Sequence, residues 1–214
     1  MVTEFWNELL TRESWEKLLE LSKKYDFVLI GGWAAFLWTK THKSKDIDLV
    51  VDQATLNQLK KDFSLVKNDR LRKYEVKFEK FDLDVYVEYY SKLAIPPEEL
   101  KQYKSTVEGI CTVRPEALLL LKQAAEIDRR GSTKGTKDAV DILTILLHAQ
   151  IDWAYYLSLL EKYGKTSFLP ELQTVVASYD EKKLSYLGVG FKQFKDWQKQ
   201  VLQDLRKLRQ KEGK

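Results

Sequence analysis

The sequence has 214 residues, of which 44% are hydrophobic and 32% are charged, and its formal net charge is +4. This length can bury a sizeable core in one domain or two small ones, and the composition excludes a disordered chain. No apolar run approaches the roughly 20 residues that span a bilayer, and the start, MVTEFWNELL, lacks the pattern of a secretory signal. We therefore expect no membrane span and no signal peptide.

Cysteine and histidine are scarce. Cys111 is the single cysteine, and His42 and His148 are the only histidines. One cysteine cannot form an intramolecular disulfide, which is typical of the reducing cytoplasm. So few ligands also argue against a zinc site of the Cys/His type. The sequence thus predicts a cytoplasmic protein.

Positive charge is concentrated near the end of the chain. Residues 1–112 hold 18 basic and 19 acidic side chains, whereas residues 113–214 hold 18 and 13. Residues 192–214 alone hold eight basic and three acidic side chains. We interpret this run as the solvated face of a helix, with contact to nucleic acid as the alternative.

The first predicted elements are a helix and a strand that ends in a glycine pair. Residues 4–24 carry apolar side chains at helical spacing, as one helix or as two interrupted at residues 11–14. Residues 27–30 (FVLI) predict a buried strand that stops at a tight turn formed by Gly31 and Gly32. Two glycines let a ligand approach closely, and residues 33–39 predict a helix whose open N-terminus would attract phosphate.

The next predicted strand carries two carboxylates. Asp46 and Asp48 are two positions apart, so they share one face of the strand while Ile47 faces the core. Neighbouring carboxylates repel each other unless a cation lies between them, and Mg²⁺ (or Mn²⁺) prefers such oxygen ligands. Asp52 is predicted to cap a helix over residues 53–62.

A later strand, residues 81–89, has one acidic and one apolar face. Such a strand covers a core with one side and lines a cleft with the other. Shorter strands are predicted over residues 63–66, 71–78 and 109–113. The acidic face consists of Asp82, Asp84, Tyr86 and Glu88, and the apolar face of Phe81, Leu83, Val85, Val87 and Tyr89.

Beyond Arg114 the pattern is helical. Helices are predicted over residues 137–150 and 151–163, with a shorter one from Pro170. The predicted fold class is therefore α+β, with a mixed sheet and flanking helices in residues 1–112 and a helical bundle in residues 113–214. The last helix carries an apolar stripe of Phe194, Trp197, Val201, Leu205 and Leu208.

A glycine pair that ends one strand, followed by Asp-x-Asp on the next, resembles the nucleotidyltransferase superfamily of the polymerase-beta type. The wider string, with Ser44 before Asp46 and Leu-Val-Val after Asp48, is similar to small prokaryotic members. Those members include the nucleotidyltransferase-like toxins of toxin–antitoxin and phage-defence systems. The resemblance covers roughly residues 25–150 and implies a catalytic sheet followed by a helical bundle.

The resemblance implies a metal site with three carboxylates. Asp46 and Asp48 would hold one or two Mg²⁺ ions that bridge the triphosphate of a nucleotide. A third carboxylate on a later strand would join the second ion and help to deprotonate the acceptor hydroxyl. We assign that role to Asp84, with Asp82 as the alternative, because strand parity does not separate them. The structural alternative is that these acids cap loops or face solvent.

The resemblance also implies a phosphate site. Gly31 and Gly32 would let the loop approach the phosphates, and the Ser44 hydroxyl would donate to one of them. In the helical half, the string Lys-Gly-Thr-Lys-Asp-x-x-Asp resembles a feature of the small members in which a lysine meets the triphosphate. Lys137 and Lys122 are our candidates, and an ion-pair network of the same residues is the alternative.

Other residues are weaker candidates for the site. Lys73, Arg72 and His42 have the charge or the location to reach a phosphate, whereas His148 is expected in the apolar core. Trp33 is also expected to belong to the core, with sheltering of a base as the alternative.

The predicted function is transfer of a nucleoside monophosphate from a nucleoside triphosphate to an acceptor hydroxyl on a small molecule, an RNA or a protein. The alternative is a catalytically weak or inactive relative that binds a nucleotide or a partner protein, such as a toxin–antitoxin component. The bulk of Trp33 after the glycines bears on that choice, because a smaller residue would give phosphate more room. The sequence does not predict the oligomeric state.

Overall fold

The structure, a computed structural model, describes residues 8–179, 184 and 186–212. It has the predicted α+β fold, with one mixed sheet of seven strands and helices packed on it. The strands are β1 (Val28–Ile30), β2 (Ile47–Val51), β3 (Val66–Asn68), β4 (Lys73–Lys77), β5 (Asp82–Val87), β6 (Lys104–Val107) and β7 (Ile110–Val113). The helices are α1 (Glu8–Lys24), α2 (Gly31–Thr39), α3 (Gln53–Asp62), α4 (Pro97–Leu100), α5 (Pro115–Arg129), α6 (Thr133–His148), α7 (Trp153–Lys162), α8 (Phe168–Ser178) and α9 (Phe191–Glu212).

The strand order across the sheet is β3-β4-β5-β2-β1-β7-β6. The two central neighbours β2 and β5 run parallel, and so do β1 and β7, while the other pairs are antiparallel. A parallel pair needs a crossover connection, and α3 with the β3–β4 hairpin supplies it between β2 and β5. The centre of the sheet is thus built from segments far apart in the sequence.

Strand β5 has the two faces that the sequence predicts. Leu83, Val85 and Val87 are buried, whereas Asp82, Asp84 and Tyr86 lie half-buried on the other face. The prediction is wrong for Tyr89. The strand ends at Val87, and Tyr89 has a φ of 60° and is 84% exposed, so it belongs to a turn instead of the apolar face.

Helices α1 and α2 pack together through aromatic side chains. The ring centroids of Trp15 and Trp33 are 4.9 Å apart, and Trp33 donates its indole N–H to Ser14 Oγ at 3.3 Å. Because Trp33 is only 1% exposed, it is a core residue and has no face left for a base. Helix α1 is continuous from Glu8 to Lys24, without a break at residues 11–14. Residues 4–7 of the predicted helix lie outside the described residues.

The second half of the chain is helical where the structure describes it. Helices α5 and α6 pack against each other and on α2 of the sheet half, while α9 packs on α8. The predicted stripe of α9 faces this core, with Phe194 and Leu205 fully buried. His148 is exposed and is not a core residue. The predicted domain boundary between residues 112 and 113 stays a prediction.

Several boundaries differ from the prediction for local reasons. Asp52 caps α3 as predicted, since its Oδ1 accepts the Thr55 N–H at 2.8 Å. Helix α6 begins at Thr133, before the predicted residue 137, because Ser132 Oγ accepts the Gly135 N–H at 3.0 Å. Strand β3 begins at Val66, where the predicted strand ends. None of the described helices is long and apolar enough to cross a membrane.

Candidate active site

A cleft of about 640 Å³ opens between the sheet and helices α5 and α6. Its floor is the half-buried face of β2 and β5, and its opposite wall comes from the helical half of the chain. All eight residues assigned to the site from the sequence line this cleft: Gly31, Gly32, Ser44, Asp46, Asp48, Asp84, Lys122 and Lys137. The fold therefore brings together side chains that are up to about a hundred positions apart in the printed sequence.

The glycine pair makes room for protein side chains at the start of α2. Gly31 has a φ of +72°, and a Cβ on it would lie 2.0 Å from Asp48 Oδ2. A Cβ on Gly32 would lie 2.6 Å from Ser44 Oγ. Both glycines are thus required by the close approach of Asp48 and Ser44. The helix begins at Gly31, two residues earlier than predicted, and no side chain caps its N-terminus, which opens into the cleft.

Two carboxylates face each other on the floor of the cleft. Asp48 of β2 and Asp84 of β5 are direct partners in the parallel register, so their side chains project from the same face of neighbouring strands. Asp84 Oδ1 is buried and has no hydrogen-bond partner among the described residues. A buried carboxylate oxygen without a partner is costly unless something else binds it.

Asp46 is placed differently from its two neighbours. It lies just before β2, and its Oδ1 accepts the backbone N–H of Asp82 at 3.0 Å, which fixes the start of β5. Within the part of the chain that the structure describes, no group of three or more His, Cys, Asp or Glu side chains converges on a common point where it could hold a metal ion. The cleft therefore offers Asp48 and Asp84 as a pair, with Asp46 beside them but turned to the backbone.

Asp82, the alternative third carboxylate, lies outside this arrangement. Its Oδ2 pairs with the exposed Lys77 ammonium at 2.7 Å, and it is not among the residues that line the cleft. Arg72, a weaker candidate, donates to the Tyr90 carbonyl at 3.0 Å and likewise does not line the cleft. His42 does line the cleft and is half-buried.

Burial and mutual repulsion dominate the electrostatics of the carboxylate pair. Two effects together raise the pKa of Asp48 to about 7: burial, which is the larger, and the negative charge of Asp84. Burial also raises the pKa of Asp84, although Lys73 opposes the change. Burial raises the pKa of the neighbouring Tyr86, so this hydroxyl stays neutral. Two carboxylates in this state would gain from a cation between them.

Lys73 of β4 is an unexpected member of the site. Its Nζ lies 2.6 Å from Asp84 Oδ2 and 3.0 Å from Glu75 Oε1, and its side chain is only 11% exposed. Burial lowers the pKa of Lys73, but the hydrogen bonds and negative charges of Asp84 and Glu75 together outweigh that effect, so the net change is upward. The sequence suggested Lys73 only as a weak phosphate ligand, because no sequence pattern shows which carboxylate it meets across the sheet.

The helical wall carries a network of ion pairs. Lys122 Nζ lies 2.5 Å from Asp141 Oδ2 and 3.4 Å from Asp138 Oδ1. Arg129 donates through Nε and Nη2 to the two oxygens of Asp138, at 2.5 and 2.9 Å. Burial lowers the pKa of Lys122, but Asp141 and Asp138 raise it more strongly. The contacts of Lys122 are therefore those of the ion-pair network that the sequence offered as the alternative to phosphate binding.

Lysines surround the rim of the cleft. Lys137 is half-buried there, and burial lowers its pKa while Asp46 partly offsets that effect. Part of the wall between the basic residues is apolar, formed by Leu93, Ala94, Leu121, Ala124 and Ala125. A basic rim over an apolar wall suits a ligand that combines phosphates with a flat apolar group. The rim lysines are Lys43, Lys45, Lys92, Lys134, Lys137 and Lys165.

Three solved structures have a similar backbone, and two of them are described as a nucleotidyltransferase or as nucleotidyltransferase-like. A candidate nucleotidyltransferase from H. pylori has a TM-score of 0.50 and 17% identity, over 95% of this chain and 99% of that chain. JHP933 from Helicobacter pylori has a TM-score of 0.49 and 16% identity, over 97% of each chain. An antigenic nucleotidyltransferase-like protein from Paracoccidioides brasiliensis has a TM-score of 0.41 and 19% identity, over 76% of this chain and 91% of that chain.

At such identities the likeness concerns the fold, and we rest it on the first of these structures. No protein-family profile matches the sequence, and no curated protein matches it. The chain has a nucleotidyltransferase-like fold.

Proposed function

We propose that this protein is a metal-dependent nucleotidyltransferase that moves a nucleoside monophosphate from a nucleoside triphosphate to an acceptor hydroxyl. The observation that carries the proposal is the pair of opposed carboxylates, Asp48 and Asp84, on the floor of a basic cleft. Asp84 Oδ1, buried and without a hydrogen-bond partner among the described residues, is the atom that most needs a cation or a proton donor.

The donor set fits a divalent cation. Asp48 and Asp84 would hold Mg²⁺ (or Mn²⁺) through hard oxygen ligands, and Asp46 would join them if its carboxylate turned from the Asp82 N–H. Such an ion would supply positive charge against the triphosphate and against the charge that develops during transfer. The raised pKa of Asp48 supports this assignment, because an ion would replace the proton that the buried pair otherwise retains near pH 7.

The protein's own groups would position the substrate and move one proton. Lys137 and the open N-terminus of α2 at Gly31 and Gly32 would bind the phosphates. The Ser44 hydroxyl, which donates to the Asp46 carbonyl at 3.1 Å, would have to rotate to reach a phosphate. Asp84 would accept the proton of the acceptor hydroxyl, whose oxygen bonds to the α-phosphorus while pyrophosphate leaves.

Calorimetric titration with the four ribonucleoside triphosphates, each with and without Mg²⁺, tests the proposal. We expect binding that depends on Mg²⁺ in the wild type and is lost in Asp48→Asn and in the double variant Asp46→Asn/Asp48→Asn. Asp82→Asn is the matched control, because its carboxylate pairs with Lys77 outside the cleft, and it should bind like the wild type. Binding that ignores both the metal and Asp48 would overturn the proposal.

A second candidate function is nucleotide or partner binding without transfer, as in an inactive component of a toxin–antitoxin pair. Two contacts favour it: Asp46 is held by the Asp82 N–H and Asp84 by Lys73. Transfer and nucleotide binding without transfer both predict Mg²⁺-dependent binding of a triphosphate, whereas partner binding alone does not. Release of pyrophosphate from a bound triphosphate in the presence of acceptor RNA, protein or small molecules separates them, because only the transferase produces it.

A further inference from the structure

The ammonium group of Lys73 occupies one oxygen of the carboxylate that a second metal ion would need. Lys73 Nζ lies 2.6 Å from Asp84 Oδ2 and 3.0 Å from Glu75 Oε1, so it bridges two carboxylates. The other Asp84 oxygen, Oδ1, has no hydrogen-bond partner in the described part of the chain. Asp84 therefore has one oxygen committed to a cation of the protein and one oxygen available.

Burial and strand geometry hold Lys73 in this position. Strand β4 pairs antiparallel with β5, and Glu75 is the direct partner of Asp84, which sets Lys73 diagonally across from it. The side chains of Lys73, Glu75 and Asp84 are 11, 14 and 15% exposed. Asn68 donates to Glu75 Oε1 at 3.2 Å and so holds the far carboxylate in place. An ammonium fixed by two carboxylates in a sheet is not a mobile surface lysine.

In a two-metal site, two ions clamp the attacking and the leaving oxygens, and both ions need free carboxylate oxygens of the protein as ligands. Here the described residues contain no convergent group of three carboxylates, and Lys73 already lies where positive charge would meet Asp84 Oδ2. A second divalent ion at that oxygen would also lie within a few ångströms of an ammonium, and the two positive charges would repel each other.

We infer that Lys73 is a tethered cation that takes the place of one of the two ions, so the cleft holds a single divalent ion with its nucleotide. This inference rests on the proposed function and deepens it. Lys73 acts through Asp84, and we class it as a positioning residue. It keeps Asp84 Oδ2 neutralised and leaves Oδ1 to the single ion or to the acceptor proton.

Counting bound Mn²⁺ tests the inference directly. The full chain, in excess over an α,β-methylene analogue of ATP, GTP, CTP or UTP, is titrated with Mn²⁺, and electron paramagnetic resonance measures the free ion. The analogue cannot be cleaved at the bond that transfer would break, so the count does not depend on activity. We expect one tightly bound ion per molecule of bound analogue in the wild type. Two ions of similar affinity in the wild type would overturn the inference while leaving the proposed function intact.

Variants of Lys73 test whether its ammonium group determines the number of bound ions. Lys73→Met removes the ammonium and should bind a second ion, whereas Lys73→Arg keeps a cation and should bind one. Lys77→Met is the matched control: it removes a lysine from the same strand, but one that is exposed and pairs with Asp82, so it should also bind one ion. A Lys73→Met protein that folds and still binds a single ion would contradict the inference.

Two further outcomes are informative. If Lys73→Met does not fold without metal, the wild-type and Lys73→Arg counts decide, and recovery of the Lys73→Met fold on adding Mn²⁺ supports an ion in place of the ammonium. Absence of any bound Mn²⁺ in the wild type, with or without the analogues, overturns the proposed function and this inference with it. The number of ions in the wild type thus separates failure of the inference from failure of the function.

Discussion

Two clusters of charged side chains line the same cleft, and their charges are balanced differently. The helix-side cluster consists of Lys122, Arg129, Asp138 and Asp141, two cations against two carboxylates, all within ion-pair distance of a partner of opposite charge. It needs nothing from outside the protein. Its close pairing at low exposure is typical of a structural network that joins two helices.

The sheet-side cluster has an excess of negative charge. It consists of the carboxylates of Asp46, Asp48 and Asp84 with the ammonium of Lys73, and Glu75, which lies outside the cleft lining, pairs with both Lys73 and Lys77. Repulsion and burial raise the pKa of Asp48 to about 7, which is the sign of a charge that the protein itself does not compensate. The comparison teaches that in this cleft the unbalanced cluster, and not the balanced network, is the place to look for a ligand.

The largest expected effect comes from breaking the balanced cluster. Asp138 is 1% exposed and pairs with both Lys122 and Arg129. Asp138→Ala should lower the free energy of unfolding by about 3–5 kcal/mol, because it breaks a buried network and leaves two cations, Lys122 and Arg129, with Asp141 as the remaining carboxylate of the cluster. Urea denaturation measures the change. Glu16→Ala, at an exposed pair with Arg12, should cost less than about 1 kcal/mol, and an equally small loss at Asp138 would refute a structural role.

The next effect concerns the unbalanced cluster, where removing a charge should increase the free energy of unfolding instead of lowering it. The folded-state pKa of Asp48 is raised, so its protonated form stabilises the fold below the unfolded pKa, near 4, and this contribution is lost as the pH rises through about 7. Asp48→Asn should therefore make the metal-free protein more stable than the wild type above pH 7, by about 2–4 kcal/mol. The two proteins should have similar stability near pH 4.

Denaturation without Mg²⁺ at several pH values between 4 and 8 measures this difference. Asp82→Asn is the control, since its carboxylate pairs with exposed Lys77 outside the cleft, and its curve should stay parallel to that of the wild type. A difference in stability between Asp48→Asn and the wild type that does not change with pH would mean that the pKa of Asp48 is not raised in the folded protein.

A smaller effect on stability, with a clear effect on binding, is expected at the glycine start of α2. Gly31 and Gly109 both have positive φ, +72° and +79°, and this backbone conformation by itself should make alanine at either position cost about 1–2 kcal/mol. At Gly31 the new Cβ would also collide with Asp48 Oδ2, whereas nothing lies within 4 Å of it at Gly109. Gly31→Ala should thus abolish Mg²⁺-dependent triphosphate binding, and Gly109→Ala should preserve it. Calorimetry compares triphosphate binding by the two variants. Equal binding would show that the contact between position 31 and Asp48 does not matter for the site.

The smallest expected effect distinguishes the two candidate phosphate lysines. Lys137→Met should weaken triphosphate binding about ten-fold, the loss of one charged contact to phosphate, with little change in stability. Lys122→Met should instead destabilise the fold, because Lys122 is buried between Asp138 and Asp141. Lys199→Met in α9, exposed and outside the cleft, controls for the loss of a charge. Unchanged affinity in Lys137→Met would remove Lys137 from the site.

Much of the sheet half could be predicted from local patterns. The alternation in β5 decides which side chains are buried, and Leu83 and Val85 are indeed fully buried while Asp84 is not. Strand β6 was missed because it is an edge strand with exposed polar side chains, and nothing in the sequence KSTV marks it as paired. Tyr89 was assigned to the apolar face because the alternation of apolar and polar residues continues past Val87, although the backbone turns there and Tyr89 has a positive φ.

The residue types of the site were predictable, but their contacts were not. Asp46 and Asp48 share a predicted face, yet the Asp82 N–H draws Asp46 away, and this depends on where β5 begins beside β2. The pairing of Lys73 with Asp84 depends on the register between β4 and β5. Neither register can be deduced from a single sequence, because the turns that set it are irregular.

The parallel register between β2 and β5 also limits which folded states can exist. Asp48 faces Asp84 only while Leu83, Val85 and Val87 are buried on the other side of the same strand. A slip by one residue would turn these apolar side chains into the cleft and bury carboxylates in the core. Molecules that fold should therefore all carry the correctly aligned pair, so a preparation that is only partly competent to bind nucleotide would contain unfolded chains rather than folded chains with a misaligned site.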